Sequence, residues 1–186
     1  MSKFKLALFD LDGTLTTERS AWEYIHRRLG VWDGQAEKFQ QAYLRGEISY
    51  DEFCRLDAAI WKGMRVSEVK GILRQIPLQP GAGELISYLQ KKLTGGIRIN
   101  VHYDQKEEWV ENARQTFQVQ REETFAVGDS SGDIPMFRAC GFSIAFNCHS
   151  PQLQSIATAR SPSNNLRDLI PILIPYLGPP AKPERF

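Results

Sequence analysis

Apolar and polar positions follow two different rhythms along this chain. Phe4 to Phe9 is a short, largely apolar run that stops abruptly at Asp10-Leu11-Asp12-Gly13-Thr14. Buried parallel strands read this way, and their carboxyl ends are where open α/β sheets place ligands. From about residue 18 to residue 76 the spacing becomes helical. Trp22, Ile25 and Leu29 share one helical face, as do Val66, Val69, Ile72, Leu73 and Ile76. Ser20-Ala21-Trp22-Glu23 and Ser49-Tyr50-Asp51-Glu52 both fit the capping box, in which serine and glutamate satisfy each other's orphan amides. Gly30, Gly34 and Gly46 punctuate the region, which predicts a small all-helical unit.

Pro80-Gly81-Ala82 then opens a helix that carries Leu85, Ile86 and Leu89 inward. A turn at Thr94-Gly95-Gly96 leads into a short strand, Ile97 to Val101, and a helix from about Gln105 to Phe117. Thr124 to Gly128 predicts a second buried strand, again ending in acids, at Gly128-Asp129-Ser130-Ser131-Gly132-Asp133. Another helix, a strand over Ser143 to Phe146 and a last helix over about Leu166 to Leu177 complete the pattern. The Pro-rich segment 178–186 is expected to be a flexible tail. Residues 1–17 and 77–177 therefore predict an α/β core, a Rossmann-like three-layer arrangement with a mostly parallel sheet, interrupted by an inserted all-helical unit at 18–76.

Composition adds exclusions. The formal net charge is +1, which gives no drive toward nucleic acid or a membrane surface. No stretch reaches the roughly 20 apolar residues of a membrane helix, and the amino end does not read as a signal peptide. A cytoplasmic protein, monomeric or homodimeric, is the expectation. The 3 cysteines, Cys54, Cys140 and Cys148, form no CxxC pair, and Cys148-His149 lacks the second ligand pair of a zinc site. Reduced thiols are expected, and His26, His102 and His149 receive no catalytic role.

Chemistry gathers at two strand ends, at Asp10/Asp12 and at Asp129/Asp133. Parallel neighbouring strands would bring these four acids to one edge of the sheet. Carboxylates crowded there repel one another unless a cation neutralises them. Ligands that are all oxygen select a hard ion, and Mg²⁺ suits a site that must also admit a phosphate oxygen.

These residues resemble the haloacid dehalogenase superfamily. Asp-Leu-Asp-Gly-Thr is similar to its motif I, Lys106 to motif III, and Gly-Asp-Ser-Ser-Gly-Asp to motif IV, in an order that points to the phosphoserine-phosphatase-like branch. The resemblance implies the haloacid dehalogenase fold and a Mg²⁺-dependent phosphatase acting on a small phosphorylated metabolite. Asp10 would be the nucleophile that forms an aspartyl-phosphate, and Asp12 the acid and base. Asp10, the backbone carbonyl of Asp12, and Asp129 would hold the metal, with Asp133 behind them or as a further ligand. Lys106 would offset charge on the phosphoryl oxygens. Gly132 departs from the family, which usually carries Asn there. The helical insertion resembles the cap that covers the site and chooses substrates. Arg55, in Ile48-Ser49-Tyr50-Asp51-Glu52-Phe53-Cys54-Arg55, would then grip a substrate carboxylate. Glu18 and Glu23 both lie near the place of the acid that meets an amino group, and neither matches it cleanly.

One unit of the family pattern is missing. Motif II is a Ser or Thr ending a second buried strand, and no apolar strand precedes Thr94, where Leu93 stands alone. Without that strand, Phe4 to Phe9 would be an open edge and the phosphate would lose a donor. The sequence therefore predicts that residues of the natural chain are omitted between about Leu89 and Thr94. If none are, a catalytically silent protein that binds a phosphorylated ligand or partner becomes the alternative. Transfer of the phosphoryl group to a second substrate is a third reading.

Overall fold

The computed structural model describes residues 3–93 and 106–180. The expected turn at Thr94-Gly95-Gly96, the strand Ile97 to Val101 and the helix start at Gln105 lie outside them. The chain divides into two compact units, Met1–Leu15 with Leu78–Phe186, and Thr16–Pro77.

The first unit is built on four parallel strands, β1 (Leu6–Phe9), β2 (Thr124–Gly128), β3 (Phe142–Phe146) and β4 (Ala159–Ser161), in that spatial order. Leu6 pairs with Thr124, and Phe125 with Phe142, so β1 forms one edge of the described sheet. Alternation along the strands assigns the two faces. Phe125, Val127, Phe142, Ile144 and Phe146 turn toward helices α5 (Ala82–Gln90) and α9 (Leu169–Leu177), where they meet Leu85, Leu89, Leu169 and Leu173. Ala126 and Ala145 turn the other way, toward Val110 of α6 (Lys106–Phe117), Met136 and Phe137 of α7 (Ile134–Ala139) and Leu153 of α8 (Pro151–Ile156). Large residues on one face and alanines on the other let the second helical layer approach closely. The result is the three-layer α/β architecture that the alternating elements predict.

Two elements escape the sequence pattern. β4 has only three residues, Ala-Arg-Ser, and is held by pairing to β3 rather than by apolar alternation. Helix α8 is a six-residue piece started by Pro151, with Ser150 Oγ accepting from Leu153 N–H at 3.3 Å. The last helix is also shorter than expected, because Leu166–Asp168 form a separate single turn before it.

The second unit contains α1 (Ala21–Arg28), α2 (Glu37–Leu44), α3 (Tyr50–Ile60) and α4 (Val66–Leu73). The capping boxes form by half. Ser20 and Ser49 accept from Glu23 and Glu52 N–H at 3.2 and 3.1 Å. The two glutamates turn to arginines instead, Glu23 to Arg27 at 2.7 Å and Glu52 to Arg55 at 2.5 Å. A charged partner one turn ahead competes successfully with a neutral amide. Aromatic contacts fill the interior: Trp22 stacks on Trp61 at 5.0 Å, and Tyr43 on Phe53 at 5.1 Å. Val66 and Leu73, expected on an inward face of α4, are 71% and 40% exposed. A unit this small cannot bury every apolar position. Among the described residues, no helix is long and apolar enough to cross a membrane, and Cys54, Cys140 and Cys148 form no disulfide with one another.

Candidate active site

Parallel pairing continues one residue past β1, where Asp10 N–H donates to Val127 O at 2.9 Å. Asp10 is thereby fixed beside the end of β2. The chain then closes into a tight turn, with Thr14 and Leu15 N–H donating to Leu11 O at 3.3 and 2.9 Å. Those two amides are therefore engaged, and a phosphate cradle must draw on earlier ones. Gly13 sits at φ +80°, and a Cβ there would lie 2.7 Å from Asp129 Oδ2. Glycine is required for both reasons. Two further side chains hold the turn in buried contacts. Thr14 Oγ1 donates to Asp129 Oδ1 at 3.3 Å, and Gln79 Nε2 donates to Gly13 O at 3.3 Å.

At the end of β2, a Cβ on Gly128 would come within 2.5 Å of the Asp133 carboxylate, so this position too must be glycine. Asp133 is fully buried, and its Oδ2 accepts from the N–H groups of Asp129 and Ser130, both at 3.0 Å. Its Oδ1 takes Lys106 Nζ at 2.5 Å, and the same ammonium donates to Asp10 Oδ1 at 2.6 Å. With both oxygens held by protein donors, Asp133 suits a place behind direct metal ligands. One carboxylate oxygen from each of Asp10, Asp129 and Asp133 lies within 4.8 Å of the others. An all-oxygen trio of that span fits a hard divalent cation. The side chain of Asp12 is not part of it, and the expectation for Asp12 at the metal concerns its backbone carbonyl.

The electrostatics follow from the crowding. Burial, then the neighbouring Asp133, raise the Asp10 pKa to about 7, with Asp129 adding to them and Lys106 opposing. Burial works against a charged Lys106, but Asp10 and Asp133 outweigh it and hold the ammonium above its ordinary range. A divalent cation would favour ionised Asp10, the form a nucleophile needs.

Asp10, Lys106, Asp129 and Asp133 thus converge, and Asp12 lies in the turn that follows Asp10. Arg55 belongs to the helical unit, where its side chain is 70% exposed and paired with Glu52. Sequence reasoning gives Thr14 and Gln79 no role. Thr14 is visible in retrospect as part of Asp-Gly-Thr, but Gln79, 66 positions from its partner Gly13, carries no local signal. Sequence reasoning also passes over Asp57, a buried carboxylate on α3 beside His26.

The chain is also similar to known proteins. Two models of haloacid dehalogenase-like hydrolases match the chain, over residues 7–101 and 72–169. The phosphoserine phosphatase of Methanocaldococcus jannaschii is 26% identical over 207 aligned positions, covering 90% of this chain and 97% of that protein. That of Idiomarina loihiensis is 27% identical over 204 positions, covering 89% and 91%. Both alignments are longer than the 186 residues of this chain, so these relatives carry positions without a counterpart here. Among solved structures, a substrate-bound phosphoserine phosphatase complex superimposes with a TM-score of 0.73 at 23% identity, over 92% of this chain and 99% of that one. A phospho-aspartyl intermediate analogue of phosphoserine phosphatase gives 0.71 at 24%, over 91% and 99%. At such identities these two establish the shared fold, while the family models reach across both halves of the sequence. The chain belongs to the haloacid dehalogenase-like hydrolases, in their phosphoserine-phosphatase-like branch.

Proposed function

We propose that this protein is a Mg²⁺-dependent phosphatase that hydrolyses a small phosphomonoester, phosphoserine or a similar ester, through an aspartyl-phosphate on Asp10. The observation that carries this reading is the convergence of Asp10, Asp129, Asp133 and Lys106 where β1 and β2 end. The names of the curated relatives support it.

Asp10, Asp129 and the backbone carbonyl of Asp12 would hold the ion, with Asp133 behind them. When bound, it would offset negative charge on the phosphoryl oxygens. The chain's own residues do the rest. An Asp10 carboxylate oxygen attacks phosphorus as the ester P–O bond breaks, and Asp12 gives its proton to the departing oxygen. Water then attacks the phosphorus of the aspartyl-phosphate, Asp12 takes the proton back, and the Asp10 carboxylate leaves with release of inorganic phosphate. Lys106 keeps Asp10 oriented and shares the charge of the reacting group. Residues 18–76 would act as the cap that selects the ester. The resemblance assigns Arg55 to a substrate carboxylate, which predicts that Arg55→Ala impairs phosphoserine turnover selectively.

The test is a screen of small phosphate esters with and without Mg²⁺, on the native protein and on Asp10→Asn. Turnover is expected only in the native protein with Mg²⁺, with beryllofluoride trapped at Asp10. Turnover that survives Asp10→Asn removes the covalent mechanism. Binding of phosphate esters with no turnover replaces the enzyme by a silent binder.

A further inference from the structure

Gln79 is a buried polar side chain that the chemistry above leaves unused. It lies where the chain re-enters the α/β unit, and its backbone is firmly anchored there. The following Pro80 confines Gln79 to extended conformations. Gln79 N–H donates to Leu15 O at 2.9 Å, and its own carbonyl accepts from Ala82 N–H at 3.1 Å. One residue on, Pro80 O accepts from Leu166 N–H at 2.8 Å. Gly81 then takes φ +76°, where a Cβ would collide with Asn165 and Arg167.

From this base the Gln79 amide reaches Gly13 O at 3.3 Å, in a buried contact. Among the described residues it is the donor that reaches that carbonyl. The peptide joining Gly13 to Thr14 is thereby held on both sides, its carbonyl by Gln79 and its N–H by Leu11 O at 3.3 Å. Both bonds are longer than the usual amide distance, so the peptide plane depends on having both. The plane also turns on a glycine at φ +80°, where no Cβ restrains it.

This peptide steers a candidate metal ligand. The Thr14 hydroxyl donates to Asp129 Oδ1 at 3.3 Å. Gly13 packs so closely on the same carboxylate that a Cβ would meet Oδ2 at 2.7 Å. Asp133 fixes the backbone of Asp129, accepting its N–H at 3.0 Å, while the Gly13–Thr14 turn grips its carboxylate. The direction of the Asp12 carbonyl depends on the same turn, because its peptide meets the next one at Gly13. Mg²⁺ demands near-ideal octahedral geometry at short range, whereas Ca²⁺ accepts more oxygens in looser arrangements. Groups that orient ligands therefore matter more to the smaller ion.

We propose that Gln79 is a positioning residue that sets the preference of the acidic site for Mg²⁺ over Ca²⁺, by holding the Gly13–Thr14 peptide and, through Thr14, the Asp129 carboxylate. This rests on the acids holding a divalent cation and is independent of which ester is hydrolysed. Gln79 acts at one remove, through the turn. Loosening the turn withdraws the geometry that the small ion needs and leaves the larger, more tolerant ion nearly as well held.

The test titrates Mg²⁺ and Ca²⁺ separately into the full chain by calorimetry, with no ester present. Gln79→Met keeps the length of the side chain and removes the donor. It is expected to weaken Mg²⁺ binding by about 3- to 10-fold, the range of one neutral hydrogen bond, and to leave Ca²⁺ binding within about twofold. Gln79→Asn keeps the amide but is too short to reach Gly13 O. It should behave alike, and it carries the test if Gln79→Met does not fold. Thr14→Val should also weaken Mg²⁺ binding, and adding Gln79→Met to it should cost no more than about a further twofold, since both act on one carboxylate. Equal losses for the two ions, or fully additive losses in the double variant, would overturn the proposal. So would Gln79 variants that melt lower in chelator yet bind both ions as the native protein does; Gln79 would then be a structural residue and the metal reading would stand. If the native protein binds neither ion, the metal reading and the role of Gln79 fall together. If the binding data come out as expected but no ester is turned over, the phosphatase reading fails and the role of Gln79 stands.

Discussion

Lys106→Met is the substitution that separates the electrostatics of the site from its packing. Methionine keeps most of the stem that lysine buries and removes only the charge. The ammonium makes contacts of 2.6 and 2.5 Å to Asp10 and Asp133, with the lysine side chain 17% exposed. Removing one partner from a buried ion pair costs about 3–5 kcal/mol, because the remaining charge is left uncompensated. Here two acids lose their shared cation, while partial exposure and proton uptake by Asp10 soften the effect, so about 3 kcal/mol is expected. For a chain of this length that lowers Tm by about 6–12 °C. Removing a positive charge also strengthens the field at the three carboxylates. Mg²⁺ should therefore raise the Tm of Lys106→Met by more than it raises that of the native protein. Differential scanning fluorimetry at pH 7, with Mg²⁺ and with chelator, reads both effects. A variant that melts within about 2 °C of the native protein under both conditions would show that the lysine is a solvated surface charge, and the site as described would be wrong.

Asp57 supplies a pH dependence of stability. Its pKa is raised from 3.8 to about 7, so the unfolded chain ionises first and stability falls as pH rises between those values. At about 1.4 kcal/mol per pH unit the loss approaches about 4 kcal/mol, and it levels off above pH 7. Asp57→Asn should remove this slope and melt higher than the native protein at pH 8; an unchanged slope between pH 5 and 8 in urea titrations would refute it. For the metal, excess chelator should abolish ester hydrolysis and lower Tm together, and Asp129→Ala should reproduce both; full activity in chelator would exclude Mg²⁺. Because β1 is an edge among the described strands, a mass prediction follows: intact mass spectrometry of the natural protein should exceed the 21.2 kDa of this sequence, and a matching mass would refute the omission of the family's second strand.

The strands that position the chemistry were legible because each is a short, largely apolar run that ends in acids. Thr124 to Gly128 needs no help from context to read as a strand. Asp10 and Asp129 were legible for the same reason, since a carboxylate directly after an apolar strand has no structural use. Lys106 was less so, as nothing local distinguishes it from other charged helix starts; only the fold brings it to Asp10 and Asp133. Contacts set by the tertiary arrangement were invisible. Gln79 reaches Gly13 across the helical insertion, and Asp57 looks like any acid on an amphipathic helix until α1 covers it. The capping boxes failed in their second half for a related reason, because the motif does not register an arginine one turn ahead that competes for the same glutamate.

The parallel register of β1 and β2 also sets a schedule for making the enzyme. Leu6 pairs with Thr124, a residue that emerges from the ribosome only after most of the chain has been built. At about 5–20 residues per second, β1 waits on the order of ten seconds for its partner. The helical unit, contiguous from Thr16 to Pro77, is complete well before then. Assembly therefore runs from the insertion outward, and the strand bearing Asp10 docks late. Only at that step does Asp10 meet the repulsion of Asp133 and Asp129. Free Mg²⁺ in the medium should consequently speed the final phase of refolding while leaving the early helical phase unchanged.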